Sequence, residues 1–384
     1  MDLTFTPEEQ AFREECRTWL RENVPADLPS GDTHEGFALC REWERKLYDN
    51  RWAVVSWPEQ YGGRGATLME WLIFEEEYYL AGAPPRITQN GIFLLAPTIF
   101  EFGTDEQKER ILRPMAAAEH LWAQAWSEPN AGSDLAGVRS TAVRTDGGWL
   151  LSGQKTWSTR AVFCDSAFGL FRTDPEAERH RGLTYFLFPL KAEGVTVRGV
   201  ERLDGDLGFG EIFLDNVFVP DENVLGEVNK GWNVAMTTTS SERGLSLRSP
   251  GRFIATAARL IELLQRSGRQ QDERLRDAVI RAWLEAQAYR WYTFQTVSRM
   301  MDGGSIGADS SLNKIFWSEM DIRTHEVALE LLGELAELDE HADHAVDGGR
   351  WMKGFQFALA GPIYAGTNEI QRNIIAQRVL GLPR

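Results

Sequence analysis

From Thr6 to about Glu119 apolar residues recur at helical spacing. The first run shows the pattern: Phe12, Cys16, Trp19 and Leu20 fall on one face, the three-and-four periodicity of an amphipathic helix. Thr6-Pro7-Glu8-Glu9 opens it with an N-cap hydroxyl, a Pro at the first helical position and carboxylates where the helix dipole favours them. The same spacing predicts helices over 37–49, 67–81 and 105–118. Near Leu121 the period changes. Short runs at 149–152, 166–172, 183–190, 195–200 and 211–219, punctuated by Asp-Gly, Gly and Pro, read as strands of a compact β-domain. From Gly231 helical periodicity returns, over 254–267, 272–302, 311–332 and 369–380.

Helices, strands and helices in that order predict an α+β multidomain chain. Its expected parts are an N-terminal helical domain (1–121), a middle β-barrel (122–229) and a C-terminal domain of four-helix-bundle type (230–384). The chain has 384 residues and 43% hydrophobic content, enough for two or three compact units with a sizeable core.

The formal net charge of −16 sets a field that repels phosphates. It argues against sequence-independent nucleic-acid binding and against anionic membrane surfaces. The three cysteines, Cys16, Cys40 and Cys164, have no CxxC spacing and read as reduced thiols. The opening MDLTFTPEEQ is acidic where a secretory signal is basic and then apolar, and no apolar run reaches spanning length, so the cytoplasm is the expected location.

Two separated runs carry most of the chemistry. One is Trp126-Ser127-Glu128-Pro129-Asn130-Ala131-Gly132-Ser133-Asp134-Leu135-Ala136-Gly137, which leaves an apolar stretch and enters a turn rich in Pro, Asn and Gly. Such a turn lets backbone N–H groups converge on a flat polar ligand. The other is the tail from Ile363 to Asn373, IYAGTNEIQRN. Before both lies Trp57-Pro58-Glu59-Gln60-Tyr61-Gly62-Gly63, and between them lie Gly153-Gln154-Lys155-Thr156-Trp157-Ser158-Thr159 and NVFVPDENVLG from Asn216 to Gly226.

Together these five runs closely resemble the acyl-CoA dehydrogenase family, FAD enzymes that desaturate acyl thioesters between the α and β carbons. The resemblance can be followed from the N-terminus to Arg384. It implies that Gln124, Trp126 and Ser127 lie along the flavin ring, that Gly132 and Ser133 line the neighbouring turn, that Trp157 packs on the ring, and that the Thr159 hydroxyl points towards N5. Taken alone, Trp157 would read as an ordinary core aromatic. In the tail, Gly366, Thr367 and Glu369 read locally as a helix N-cap with an acidic first turn. The resemblance adds that Thr367 and Glu369 meet the flavin.

α-Proton abstraction needs a carboxylate in a dry pocket and donors on the thioester oxygen. In many family members the base precedes the Gly-Thr of the tail, where this chain has Ala365. A minority of the family places it on the first long helix of the third domain, directly before an Arg. Here that place reads Ser240-Ser241-Glu242-Arg243. Glu242 is therefore the candidate base, against the local reading of a solvated helix Glu. Arg243, Ser133, Tyr364, Ala365 and Gly366 are the candidate substrate contacts, with the Ala365 backbone N–H on the thioester carbonyl.

The resemblance further implies an acyl-CoA or acyl-carrier thioester as substrate, an electron-transfer flavoprotein as acceptor, and an oligomer, homomeric or heteromeric. It thins in two places. Gly268-Arg269-Gln270-Gln271-Asp272-Glu273 lacks the family's Phe-Gly, and Leu331-Leu332-Gly333-Glu334-Leu335-Ala336 lacks its glycine-rich turn. Two other readings stay open, a non-catalytic partner subunit of a heteromeric dehydrogenase and a flavin monooxygenase or oxidase on the same fold. His341 and His344, near Asp339 and Glu340, have a spacing that could bind a metal, but their polar surroundings read as a solvated loop, and no metal site is expected.

Overall fold

The computed structural model describes residues 4–243, 249–304, 307 and 310–383, the side chains of 240–243 apart. Five helices come first: α1 (Pro7–Asn23), α2 (His34–Asp49), α3 (Leu68–Leu80), α4 (Ala96–Phe102) and α5 (Asp105–Ala116). The strands are β1 (Trp122–Ala125), β2 (Thr141–Thr145), β3 (Gly148–Thr159), β4 (Ser166–Arg172), β5 (Leu183–Pro189), β6 (Val195–Val200), β7 (Phe209–Pro220) and β8 (Val224–Leu225). Then follow α6 (Gly231–Arg243), α7 (Pro250–Arg266), α8 (Glu273–Met301), α9 (Ser310–Leu332), α10 (Arg350–Ala358) and α11 (Asn368–Ile374). None of the helices, among the described residues, is long and apolar enough to cross a membrane.

Local chemistry starts the first helices where the sequence places them. Thr6, Thr67 and Thr104 each cap a helix, accepting from the N3 backbone N–H while the N3 Glu or Gln returns a bond to the cap. This reciprocal box satisfies two of the donors that a helix start leaves orphaned.

The chain forms two compact units. One comprises Met1–Val24, Ala66–Ala83 and Arg243–Arg384; the other comprises Pro25–Gly65 and Pro84–Glu242. In the first, α7 to α10 bury Leu260, Leu263, Leu275, Val279, Ala328 and Trp351 together. Three buried glutamates in a row, Glu75 to Glu77, lie on α3. Glu76 binds Arg13 of α1 at 3.1 Å and Arg290 of α8 at 3.0 Å, and Glu77 binds Arg17 at 2.9 Å. Glu76 and Glu77 are tolerated inside because each meets a guanidinium.

The second unit holds the whole sheet, in the order β6-β7-β3-β2-β4-β5-β8, with β1 parallel to β4. β4 and β5 are buried along nearly their whole length, which is why SAFGLFR and LTYFLFP read as continuous apolar runs without alternation. The middle β-barrel expected from the sequence is corrected to an open sheet. β8 has only two residues, too few to carry the ladder onward, and no strand among the described residues joins β6 to β8.

Two regions escape sequence periodicity. Asn90–Leu95 forms a π-helix that runs into α4, where Gly91 and Pro97 interrupt the pattern. Helix α10 contains Gly354, whose added Cβ would lie 2.3 Å from His325 Nε2. The glycine lowers helical propensity, but close packing on His325 requires it.

Candidate functional site

The loop after β1 is shaped from within. Glu128 and Ala131 exchange two backbone hydrogen bonds of 3.0 Å, closing a turn around Pro129-Asn130. The Glu128 carboxylate turns inward and accepts from the Arg139 N–H at 2.7 Å, the Ser140 N–H at 2.9 Å and Lys155 Nζ at 2.8 Å. Lys155, on β3, is fully buried, and its ammonium also donates to the Leu170 carbonyl at 2.8 Å and lies 4.7 Å from the Phe171 ring centre. Burial opposes ionisation of Glu128, but the Lys155 charge and these donors hold its carboxyl below the usual range. Thr156 N–H donates to the Ser127 carbonyl at 2.9 Å. Loop and strand are thereby one piece.

The end of β3 is distorted. Its pairing with β7 shifts register between Lys155 and Ser158, a β-bulge. Trp157 has φ +57° and Arg160 φ +56°, the left-handed region that residues with a Cβ rarely enter. The bulge turns the Trp157 indole outward, 61% exposed, perpendicular to the Phe209 ring with the ring centres 5.7 Å apart. Between them Ser158 is buried and its hydroxyl has no hydrogen-bond partner among the described residues. The Thr159 carbonyl accepts from the Asn90 amide at 3.4 Å.

Trp126 is buried, its ring edge-on to Tyr185 at 6.3 Å, and its indole N–H has no partner among the described residues. Ser127 and Gln124 are half-buried, while Gly132 and Ser133 are exposed. A Cβ added at Gly132 would meet nothing within 4 Å. The turn there is open to a ligand.

The tail residues belong to the other unit. Ala365 and Gly366 take φ of +56° and +78°, and their carbonyls both accept from Gln371 Nε2 at 3.1 Å. Among the described residues the N–H groups of Ala365 and Gly366 make no hydrogen bond. Thr367 caps α11, accepting from the Ile370 N–H at 3.2 Å. Asn368 accepts from the fully buried Lys314 at 2.8 Å. Glu369 is exposed, and its own backbone N–H and the Thr367 hydroxyl hold its carboxyl below the usual range. Tyr364 stacks on Trp317 at 5.9 Å.

Helix α6 is seated closely in the sheet unit. A Cβ on Gly231 would approach the Thr184 carbonyl carbon to 2.6 Å. One turn before its end, Thr238 is fully buried, 2.8 Å from the Thr98 hydroxyl and 3.2 Å from the Tyr185 hydroxyl. Glu242 and Arg243 are its last two residues; their side chains lie outside the described residues. His341 and His344 are exposed in turns.

Within the sheet unit, the Thr156–Ser127 hydrogen bond and the Lys155–Glu128 ion pair tie the first run to β3. An outward indole, an open glycine turn and two buried donors without partners, Trp126 Nε1 and Ser158 Oγ, fit a flat cofactor with an apolar ring and a polar edge. Sequence reasoning passed over Glu128, Lys155, Asn90, Asp32 and Arg160. Glu128 and Lys155 lay inside the quoted runs, but a charged residue read from sequence is assigned to solvent by default.

The family descriptions of acyl-CoA dehydrogenase match in chain order: the N-terminal domain over residues 6–119, the middle domain over 123–217 and the C-terminal domain over 229–380. Acyl-CoA dehydrogenase IpdE1 of Mycolicibacterium smegmatis is 37% identical over 401 aligned positions, covering 98% of each chain. Among solved structures, one described as the Tcur3481-Tcur3483 steroid ACAD aligns with TM-score 0.90 and 26% identity over all of both chains. The ChsE4-ChsE5 complex from Mycobacterium tuberculosis aligns with TM-score 0.87 and 31% identity, again over all of both chains.

Proposed function

The chain belongs to the acyl-CoA dehydrogenase family, a family of flavin-dependent oxidoreductases, and from that membership we propose that it removes hydrogen from the α and β carbons of an acyl-CoA thioester with FAD as cofactor. On this reading it divides into domains at 1–121, 122–229 and 230–384. The observation that carries the flavin assignment is the bulged end of β3, which exposes the Trp157 indole on the strand that Lys155 and Thr156 tie to the turn of Ser127 and Glu128. Trp157 offers a ring face, and Gln124, Ser127, Ser133 and Thr159 offer polar contacts along it; Thr367 and Glu369 are assigned to the flavin on the family resemblance alone.

FAD, when bound, supplies the acceptor for the β-hydrogen. The chain's own residues do the rest. Glu242 takes the α-proton, a role that needs a carboxylate kept from water. The thioester oxygen gains negative charge as the proton leaves, and a fixed backbone donor stabilises it without reorganisation. The Ala365 N–H, in an αL turn held by Gln371, is the donor we assign. Gly366 and Tyr364 flank it, and Arg243 serves the anionic CoA moiety.

The steroid ACAD named in the comparison supports a polycyclic, steroid-derived acyl thioester as the substrate class. The similarity to the Tcur3481-Tcur3483 steroid ACAD and to the ChsE4-ChsE5 complex supports a heteromer and, with Ala365 in place of a carboxylate, keeps a partner-subunit role as the second reading. An electron-transfer flavoprotein is the proposed acceptor.

The test is to purify the chain alone and with its partner, identify the released flavin, and assay straight-chain and steroid-derived acyl-CoAs with an artificial electron acceptor. Yellow protein that releases FAD and turns over the steroid-derived thioester supports the reading. Colourless protein that cannot be loaded in either form removes it. Turnover only by the complex, unaffected by Glu242→Gln, assigns catalysis to the partner.

A further inference from the structure

The β3 terminus raises a physical question that the flavin reading leaves open. Two residues with side chains, Trp157 and Arg160, hold left-handed backbone angles within four positions. Such angles persist only where the surroundings over-determine them. Trp157 itself is exposed, so its own side chain supplies little restraint. Arg160, by contrast, is buried.

Arg160 is 8% exposed, and its guanidinium forms an ion pair through Nε with Asp32, itself 5% exposed. Nη1 donates to the Arg86 carbonyl at 3.3 Å, and the Arg160 backbone N–H donates to the Gly208 carbonyl at 3.0 Å. Asp32 is fixed in turn. Its other oxygen binds Arg202, and its carbonyl accepts from the Leu207 N–H at 3.0 Å. Arg202 continues to Asp204 at 2.9 Å and Asp206 at 3.1 Å. Against the burial that opposes its ionisation, the Asp32 carboxyl is kept below the usual range by Arg160 and Arg202. From the opposite side, the Asn90 amide in the π-helix holds the Thr159 carbonyl. Thr159 therefore sits between two anchors, one on its own carbonyl and one on the next residue.

We propose that Arg160, anchored by Asp32, is a positioning residue: it maintains the bulged end of β3 and so sets where Trp157 and Thr159 stand against the flavin. The proposal rests on the flavin assignment made above. A bland alternative exists, since buried ion pairs are often merely tolerated within a fold. The two differ in where the effect of losing Arg160 falls. As a positioning residue it governs residues 156–161 and the flavin; as a general structural pair it governs the stability of the whole unit.

The experiment compares wild type, Arg160→Leu and Arg160→Lys. In the leucine variant Asp32 still has Arg202, so no carboxylate is left without a cation. Three quantities are measured: amide hydrogen exchange of residues 156–161 in FAD-free protein, the FAD dissociation constant of that protein, and the melting temperature. The expected result is faster exchange at 156–161 and FAD binding weaker by about tenfold or more in Arg160→Leu. Exchange elsewhere in the sheet stays as in wild type, and Arg160→Lys recovers part of both effects. Unchanged exchange and FAD affinity in Arg160→Leu overturn the proposal, as does a uniform rise in exchange across the sheet with a matching fall in melting temperature. If wild type itself takes up no FAD, the flavoprotein reading fails and takes the proposal's flavin role with it. A leucine variant that loads like wild type defeats the positioning role alone.

Discussion

Lys155 and Glu128 form an ion pair of 2.8 Å in which the lysine has no solvent exposure and the glutamate 9%. It fastens the turn that carries Ser127 and Gly132 to the strand that carries Trp157. An ion pair out of water is a poor source of net stability, but removal of one partner leaves the other charge stranded.

Lys155→Met is therefore expected to destabilise the protein by about 3–5 kcal/mol, with loss of bound flavin in parallel. The double variant Lys155→Met/Glu128→Gln, which strands no charge, should recover part of that loss. Denaturant unfolding with flavin content read on the same samples checks both. A double variant as unstable as the sum of the two singles would show that the pair has no mutual dependence.

Acid should destabilise the sheet unit by more than titration of its surface carboxylates explains. Asp32 and Glu128 both have native pKa values below their ordinary ones, each against the cost of burial. In the interval between native and ordinary values the unfolded chain binds more protons than the folded one. Their stabilisation is complete above about pH 4 and is lost as pH falls through the lower native values. Melting temperature measured from pH 7 downward should fall more steeply below pH 4 in wild type than in Asp32→Asn. Equal slopes would assign the acid sensitivity to other groups.

The thiols should be inert in the folded protein. All three cysteines are buried, and burial pushes Cys40 to about 11 and Cys164 to about 12. The thiolate is the reactive form, so a disulfide reagent at pH 8 is expected to titrate no thiol in native protein and all three in denaturant. Rapid modification of one thiol without unfolding would reveal an opening motion absent from this structure.

Glu242→Gln keeps size and hydrogen-bonding capacity but removes the proton acceptor. Flavin reduction by substrate should fall by about a hundredfold or more, with FAD content retained. Ala365→Glu in that background tests the tail position. Ala365 already holds φ +56°, so a glutamate there adds little backbone strain of its own. Stopped-flow bleaching of the flavin would show partial recovery if both positions face the same α carbon. A wild-type rate in Glu242→Gln would move the base elsewhere.

One structural substitution tests the first of the quoted glycine motifs. A Cβ on Gly63 would lie 1.9 Å from the Trp57 carbonyl oxygen, closer than any real contact, so Gly63→Ala must shift the backbone of the Trp57–Gly63 turn. A measurable fall in melting temperature is expected; an unchanged one would mean the turn is free to open.

Periodicity and capping chemistry in the sequence determined most of the helices and five of the strands, because those signals are local: a Thr-x-x-Glu box or an apolar spacing acts over a few residues, while the five motif runs carried the family resemblance. Motif spelling likewise marked Trp126, Trp157 and Thr367. The rest depended on pairs far apart in the chain. Asp32 meets Arg160 across 128 positions and Glu128 meets Lys155 across 27, and only packing takes such charges out of water, so a sequence reading leaves them on the surface. The left-handed angles at Trp157, Arg160 and Ala365 belong to no local preference of tryptophan, arginine or alanine. Tertiary contacts impose them, which is why the exposure of Trp157 and the turn of the tail were decided by the fold alone. The same holds for closure of the sheet, because whether β8 extends far enough to complete a barrel depends on pairing between strands and not on the alternation within any one of them.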